Sequence, residues 1–261
     1  MFAMQAVCCS FIMMIWRSGK VFLKKEEGGI AVAILDDIPF DLDSDRLMKQ
    51  AHVASGSDDA TEFEQLIEKA RRVGKPKAMF RECYIDDRGE ETVTIDGITF
   101  TSRVLRANLD EPERVFVYVA TCGAEMDAIE TPDGDFLAQF WLDTIKASLL
   151  SNARAHLVAF LKRQYALGKI AAMSPGAGDA TVWPIQQQRG LFTLLGDVKE
   201  AIGVELTDSF LMWPNKTISS FLFATEKDFQ SCQLCHRDPC PGRRASFDPA
   251  LWDSIAHGIE A

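Results

Sequence analysis

Three cysteines, Cys232, Cys235 and Cys240, lie in one short segment near the carboxyl end of this 261-residue chain. Two cysteines separated by two residues can set both thiolates on one metal, and the proline-bearing stretch before Cys240 can bring in a third. An iron–sulfur cluster usually takes four thiolates, so a fourth ligand must come from elsewhere. Cys122, at the end of the most strand-like segment, is the first choice and Cys83 the second, while His236 would suit zinc. Iron–sulfur and zinc both stay open, with Pro241 after the last cysteine favouring iron–sulfur. The remaining cysteines, Cys8 and Cys9, sit in an apolar amino-terminal run. Spacing this uneven is not the disulfide framework of a small secreted domain, and a tight cluster points to metal or redox chemistry.

Other residue types offer less. His52, His156 and His257 are isolated from carboxylates and cysteines in the sequence. There is no nucleophile elbow, phosphate-binding glycine loop or telling pair of carboxylates, so hydrolase and kinase readings have no support. The formal charge is −10, from 28 Lys and Arg against 38 Asp and Glu. With no basic block, nucleic-acid binding is not expected. The composition, 47% hydrophobic and 25% charged, is that of a globular chain able to build a sizeable core.

The elements that would hold these groups can be placed from pattern. Residues 1–29 read as an extension, apolar then basic. Met1 to Trp16 is too short to span a bilayer, and Arg17, Lys20, Lys24 and Lys25 follow the apolar run where a signal peptide would carry its charge first. An upstream start codon, with Met13 or Met14 as rivals, accounts for this run more simply than a membrane-touching anchor. Residues 30–230 read as one α+β domain. A strand is expected at 30–35, a short helix at 45–50, and an amphipathic helix at 60–73 whose Phe63, Leu66, Ile67 and Ala70 share a face. Strands at 78–85, 91–95 and 98–101 follow, the last two joined by the hairpin signal Asp96-Gly97. The strongest strand is 114–121, rich in β-branched and aromatic residues. A long helix over 135–166, a glycine loop from Ser174 to Asp179, helices after Pro184 and Asp197, and strands at 209–213 and 217–223 complete the domain. Residues 231–261 form the cysteine-rich tail, with a helix over 249–259. Strands that are mostly sequential, with helices gathered around them, imply an α+β fold.

The run Val204-Glu-Leu-Thr-Asp-Ser-Phe-Leu-Met-Trp-Pro-Asn-Lys-Thr-Ile-Ser219 resembles the activation domain of cobalamin-dependent methionine synthase. There a Leu-Thr-Glu-Ser-Phe segment precedes Met-Trp-Pro and a strand. Ser174-Pro-Gly-Ala-Gly-Asp179, followed by Trp183-Pro184, Leu191-Phe192 and Leu194-Leu195, is similar to that family's Pro-Gly-Tyr loop and the helix after it. The resemblance covers roughly residues 115–223, and the order of several motifs makes it specific.

It implies a twisted, mainly antiparallel sheet with flanking helices that binds S-adenosylmethionine beside a cobalamin module, so that cob(II)alamin can be reduced and remethylated. Ser174, Pro175, Gly176, Gly178, Asp208 and Ser209 are then the cofactor-binding candidates. Ala172 and Ala177 replace an arginine and a tyrosine of the family, and Asn152 matches a glutamate on its long helix. Alanine cannot pair with a carboxylate as a guanidinium does. The cysteine tail resembles those of free-standing relatives, which share the clustered cysteines and a following arginine pair.

The function expected is a cytoplasmic accessory protein that reactivates a corrinoid methyltransferase. It would act on a corrinoid carried by another polypeptide, with an iron–sulfur cluster passing the electron. Alternatives are a zinc-stabilised docking module and an S-adenosylmethionine binder with a rearranged pocket. Arg243 and Arg244 read as solvated charges beside the metal loop, with contact to an anionic corrinoid side chain second. Trp183 and Trp213 read as core before corrinoid contacts.

Overall fold

The computed structural model describes residues 11–16, 19–25, 31–178, 182–227, 231–240 and 243–256. Cys8, Cys9, Ile30, Asp179, Pro241 and His257 lie outside the described residues. The chain begins with β1 (Phe11–Trp16), β2 (Gly19–Lys25) and β3 (Ala31–Asp36), then α1 (Ser44–Gln50) and α2 (Asp58–Val73). Next come β4 (Lys77–Arg88), β5 (Thr92–Ile95), β6 (Ile98–Thr101), α3 (Arg103–Asn108) and β7 (Arg114–Thr121). The long helix α4 (Phe136–Gln164) leads to β8 (Ile170–Met173), α5 (Gln188–Leu195) and α6 (Val198–Ile202). The short pair β9 (Glu205–Leu206) and β10 (Met212–Trp213), then β11 (Thr217–Ala224) and α7 (Pro249–Ala256), finish the chain.

The fold is α+β, as expected. Its main sheet has the order β1-β2-β3-β4-β7-β11-β8, with the hairpin β5-β6 continuing from β4, and every pairing is antiparallel. Two strands of the stretch read as an extension therefore join the sheet at one edge.

Strand alternation sorts the side chains onto two faces. Val115, Val117 and Val119 of β7 share a core with Met79, Cys83, Phe221, Phe223 and Met173, and the apolar residues of α3, α5 and α6 cover it. Leu234 of the tail is buried in the same core, with Leu251 and Trp252 of α7 packed against it. Phe116, Tyr118 and Ala120 face the other way, beneath Ala153, Leu157, Phe160 and Leu161 of α4. That layer continues into a third cluster in which α1 and α2 meet α4 around Phe63, Trp141 and Leu149, with Cys122 included.

Local chemistry fixes where the helices start. The Ser57 hydroxyl accepts the Ala60 N–H at 3.1 Å, and Asp135 accepts the Ala138 N–H at 2.9 Å, each satisfying a donor that the first helical turn leaves free. Ser102 caps α3 through the Leu105 N–H and donates to the Val182 carbonyl at 2.7 Å, tying that helix to the segment beyond the glycine loop.

Candidate functional site

The glycine loop and the β9–β10 hairpin close on a cleft of about 560 Å³. This size suits a small-molecule ligand. One wall is Ser174, Pro175, Gly176 and Ala177, and the other runs through Thr207, Ser209, Phe210 and Trp213 to the start of β11. Ile185 and Gln188 close the end nearest α5.

Each wall is set by specific contacts. The Gly176 N–H donates to the Trp183 carbonyl at 2.8 Å, and Gly176 has φ +71°, a left-handed conformation. A Cβ there would stand 2.9 Å from the Ile185 Cβ, so only glycine lets this loop approach the segment opposite. In the second wall the Thr207 hydroxyl accepts the Leu211 N–H at 3.1 Å and lies 3.0 Å from the Ser209 hydroxyl. Phe210 adopts φ +63°, with the Arg189 guanidinium 4.8 Å from its ring centroid and its carbonyl accepting the buried Gln188 amide at 3.4 Å. Lys216 reaches Asp143 of α4 at 2.5 Å, fixing the loop between β10 and β11.

The floor carries a further polar atom. Ser219 is only 2% exposed and lines the cleft, yet its hydroxyl has no hydrogen-bond partner among the described residues. A buried hydroxyl without a partner costs free energy, so its place is explained when a ligand supplies the bond. Among the described residues, those lining the cleft include no acid, base or cysteine. The cleft can bind and orient a ligand, and among the described residues its walls carry no proton-transfer group.

Four of the six cofactor-binding candidates, Ser174, Pro175, Gly176 and Ser209, meet at this cleft. Asp208 is exposed and Gly178 lies just beyond the loop's lining residues, packed on Cys235. The substituted positions are spread out. Ala177 lines the cleft, Ala172 pairs with Leu222 across β8 and β11, and Asn152 borders a separate polar hollow of α4 with Arg46 and Gln50. Asn152 donates to the Ser148 carbonyl one turn back at 2.9 Å. Phe210 and Ser219 fall inside the run 204–219 without a chemistry that marks them as site residues, and Gln188 lies outside the quoted motifs.

The cysteines are arranged differently from the expectation. Among the described residues, no group of three or more His, Cys, Asp or Glu side chains is placed to hold a metal ion. Cys122 follows the Tyr118 and Ala120 side of β7 into the cluster beneath α4, whereas the tail is seated through Leu234 on the opposite face. The sheet thus stands between Cys122 and the tail cysteines. Cys83 is on the tail's side but fully buried beside Arg81 and Asp96. His236 packs between Phe247, tilted to it, and Trp252, edge-on to it, with ring centroids 4.3 and 4.4 Å away.

The tail loop is instead gathered around a guanidinium. Arg243, half-buried rather than solvated, donates to the carbonyls of Cys232, Cys235 and Ala245 at 3.3, 3.3 and 3.4 Å, and also to that of Arg237. Trp183 is core, stacked on Phe221 at 5.5 Å, while Trp213 is exposed at the cleft rim.

Burial pushes the Cys122 thiol up to about 11 and raises that of Cys83 further. The Arg244 N–H at 3.5 Å lowers that of the half-buried Cys232. Among the described cysteines, native protein treated with iodoacetamide near pH 8 should therefore label Cys232 first and Cys83 and Cys122 last, as read by peptide mass spectrometry. Raised thiol pKa values also fix the sign of a pH effect. The unfolded thiols ionise near 9, so the stability that neutral Cys122 contributes is intact below that pH and is lost between about 9 and 11.

Residues 159–240 match the family model of the vitamin B12 dependent methionine synthase activation domain. The matched segment runs from the end of α4 through both walls of the cleft and into the cysteine loop. Among solved structures, the chain is similar to the crystal structure of the MetH reactivation domain bound to AdoHcy, at 14% sequence identity and a TM-score of 0.52. The likeness covers 77% of this chain and 81% of that one, so the activation-domain fold extends well beyond the matched segment. A search of curated proteins finds no match. Among the described residues, no helix is long and apolar enough to cross a membrane.

Proposed function

We propose that this chain is a reactivation module for a corrinoid-dependent methyltransferase, and that the cleft between the glycine loop and the β9–β10 hairpin holds its small-molecule ligand. One observation carries the reading: the activation-domain segment contains both walls of that cleft. The corrinoid would be carried by a methyltransferase module, as the match to the activation-domain family model suggests.

S-adenosyl compounds are the favoured ligand class, since the solved relative holds AdoHcy. The cleft suits the neutral part of such a ligand. Gly176 leaves room for close backbone approach, Ser219 offers an unused hydroxyl, and Phe210 and Trp213 give apolar surface. The charged methionyl end finds no guanidinium at Ala172 or Ala177, which predicts weaker binding than in relatives with arginine and tyrosine there. When bound, S-adenosylmethionine supplies the methyl group that reduced cobalamin accepts. The chain's own residues orient the ligand and shield it, and none of the described side chains of the cleft is placed to move a proton.

The iron–sulfur cluster or zinc ion expected on Cys232, Cys235, Cys240 and Cys122 does not fit the residues as arranged, because Cys122 is on the far side of the sheet and the other three make no ligand group. The electron for cob(II)alamin is therefore left to the partner system.

Ser219→Ala separates a binding role from a structural one. Removing a buried hydroxyl that lacks a partner should leave the melting temperature unchanged or slightly raised. If a ligand uses that hydroxyl, AdoHcy affinity measured by calorimetry should fall about 5- to 10-fold, the worth of one neutral hydrogen bond at ~1 kcal/mol. Equal affinities for the two proteins would remove Ser219 from the site.

A further inference from the structure

The tail cysteines are not equivalent. Cys235 is buried, and its Cβ and Sγ lie 3.4 and 3.6 Å from where a Cβ on Gly178 would stand. Its side chain thus packs directly on the end of the glycine loop. Cys232 is half-buried, and its Sγ accepts the Arg244 N–H at 3.5 Å. The Cys235 N–H donates to the Cys232 carbonyl at 3.3 Å and closes a turn between the two. A turn of this kind brings its end Cα atoms within about 7 Å, and disulfides span Cα separations of about 4.4 to 6.8 Å. Arg243 holds the same turn mainly by its carbonyls, beside the single Arg244 N–H on the Cys232 sulfur.

We propose that Cys232 and Cys235 form a redox-active dithiol, oxidised by a low-molecular-weight disulfide, whose closure draws Cys235 off Gly178 and loosens the loop lining the cleft. The Cys232 thiolate attacks one sulfur of the small disulfide, whose S–S bond breaks and releases one small thiolate. Cys235 gives its proton to solvent, attacks the Cys232 sulfur of the mixed disulfide and expels the second small thiolate. Both thiolates take up protons, so two electrons and two protons pass from the protein to two small thiols. The dithiol stands on the tail geometry alone, and only its consequence for ligand binding rests on the cleft being the ligand site.

The test uses the full chain purified without oxygen, assayed for iron and zinc, then equilibrated across ratios of glutathione to glutathione disulfide. Alkylation and peptide mass spectrometry should show Cys232 and Cys235 oxidised together in one two-electron step, with Cys83 and Cys122 still reduced. Cys235→Ser should stop at the mixed disulfide on Cys232, and Cys240→Ser should leave the pair intact. Deuterium exchange of the peptide over 170–178 should be several-fold faster in the oxidised form. Iron or zinc held by these cysteines and shielding them from alkylation would overturn the proposal, as would obligate pairing with Cys240. A disulfide that leaves loop exchange unchanged would overturn the coupling. None of these readouts involves a corrinoid or an S-adenosyl ligand, so failure here is distinct from failure of the reactivation reading.

Discussion

Asp96→Ala is expected to destabilise the fold by about 3–5 kcal/mol, because it strips the partner from a buried guanidinium. Arg81 projects from β4 into the core beside Cys83, where its Nη2 meets the Asp96 carboxylate at 2.6 Å and its Nη1 donates to the Leu194 carbonyl at 2.6 Å. The two side chains are 10% and 20% exposed, so solvent screens the pair little. Asp96 also accepts the Tyr84 N–H at 2.9 Å, and the same substitution leaves that donor open. One carboxylate thereby joins the β5–β6 turn, strand β4 and the carboxyl end of α5, the helix that follows the glycine loop. Chemical denaturation should show the loss as a lower midpoint. A double variant with Arg81→Met should recover part of it, since an apolar pair avoids the unpaired charge. A loss below 1 kcal/mol would show that the pair is not structural.

Gly176→Val has the largest effect expected at the cleft. The residue has φ +71°, which a β-branched side chain resists, and its Cβ would come within 2.9 Å of the Ile185 Cβ. Strain and overpacking together should cost about 2–4 kcal/mol. Because the loop must move to relieve the contact, AdoHcy binding should fall below detection in calorimetry at temperatures where circular dichroism still reports a folded chain. Gly134→Ala is a matched control, also at positive φ but with open space around it, and should keep its binding. Full binding by the Gly176 variant would place the ligand elsewhere.

Much of the scaffold was legible because its pattern is strong. The helix read from Phe63, Leu66, Ile67 and Ala70 buries all four, and Asp96-Gly97 marks the hairpin turn between β5 and β6. The most strand-like segment occupies the middle of the sheet, between β4 and β11. Short elements were missed for lack of pattern. α3 is six residues long, too short for periodicity to show, and its signal was the Ser102 cap. β8 reads Ile-Ala-Ala-Met, without the β-branched and aromatic residues that mark strands, and pairs only along β11. The turn expected at 86–89 is mostly strand, since β4 runs to Arg88 through an irregularity between Ile85 and Asp87.

At the site, motif order located the glycine loop and the hairpin but not which of their residues meet in the cleft. Phe210 reaches the cleft through a positive φ that a phenylalanine does not announce, and the place of Ser219 depends on which side of β11 faces the loop. Choosing Cys122 as the fourth thiolate relied on strand ends meeting loops. Alternation from Tyr118 and Ala120 sends it to the face under α4, a parity already present in the sequence.

The reactivation account is tested most directly on a cobalamin-dependent methionine synthase that lacks its own activation domain, held in the cob(II)alamin state with a chemical reductant and S-adenosylmethionine. Adding the full chain should restore the methylcobalamin spectrum at a rate that rises with chain concentration and saturates, and Gly176→Val should fail to do so. A rate identical with and without the chain, in the presence of saturating S-adenosylmethionine, would contradict the account.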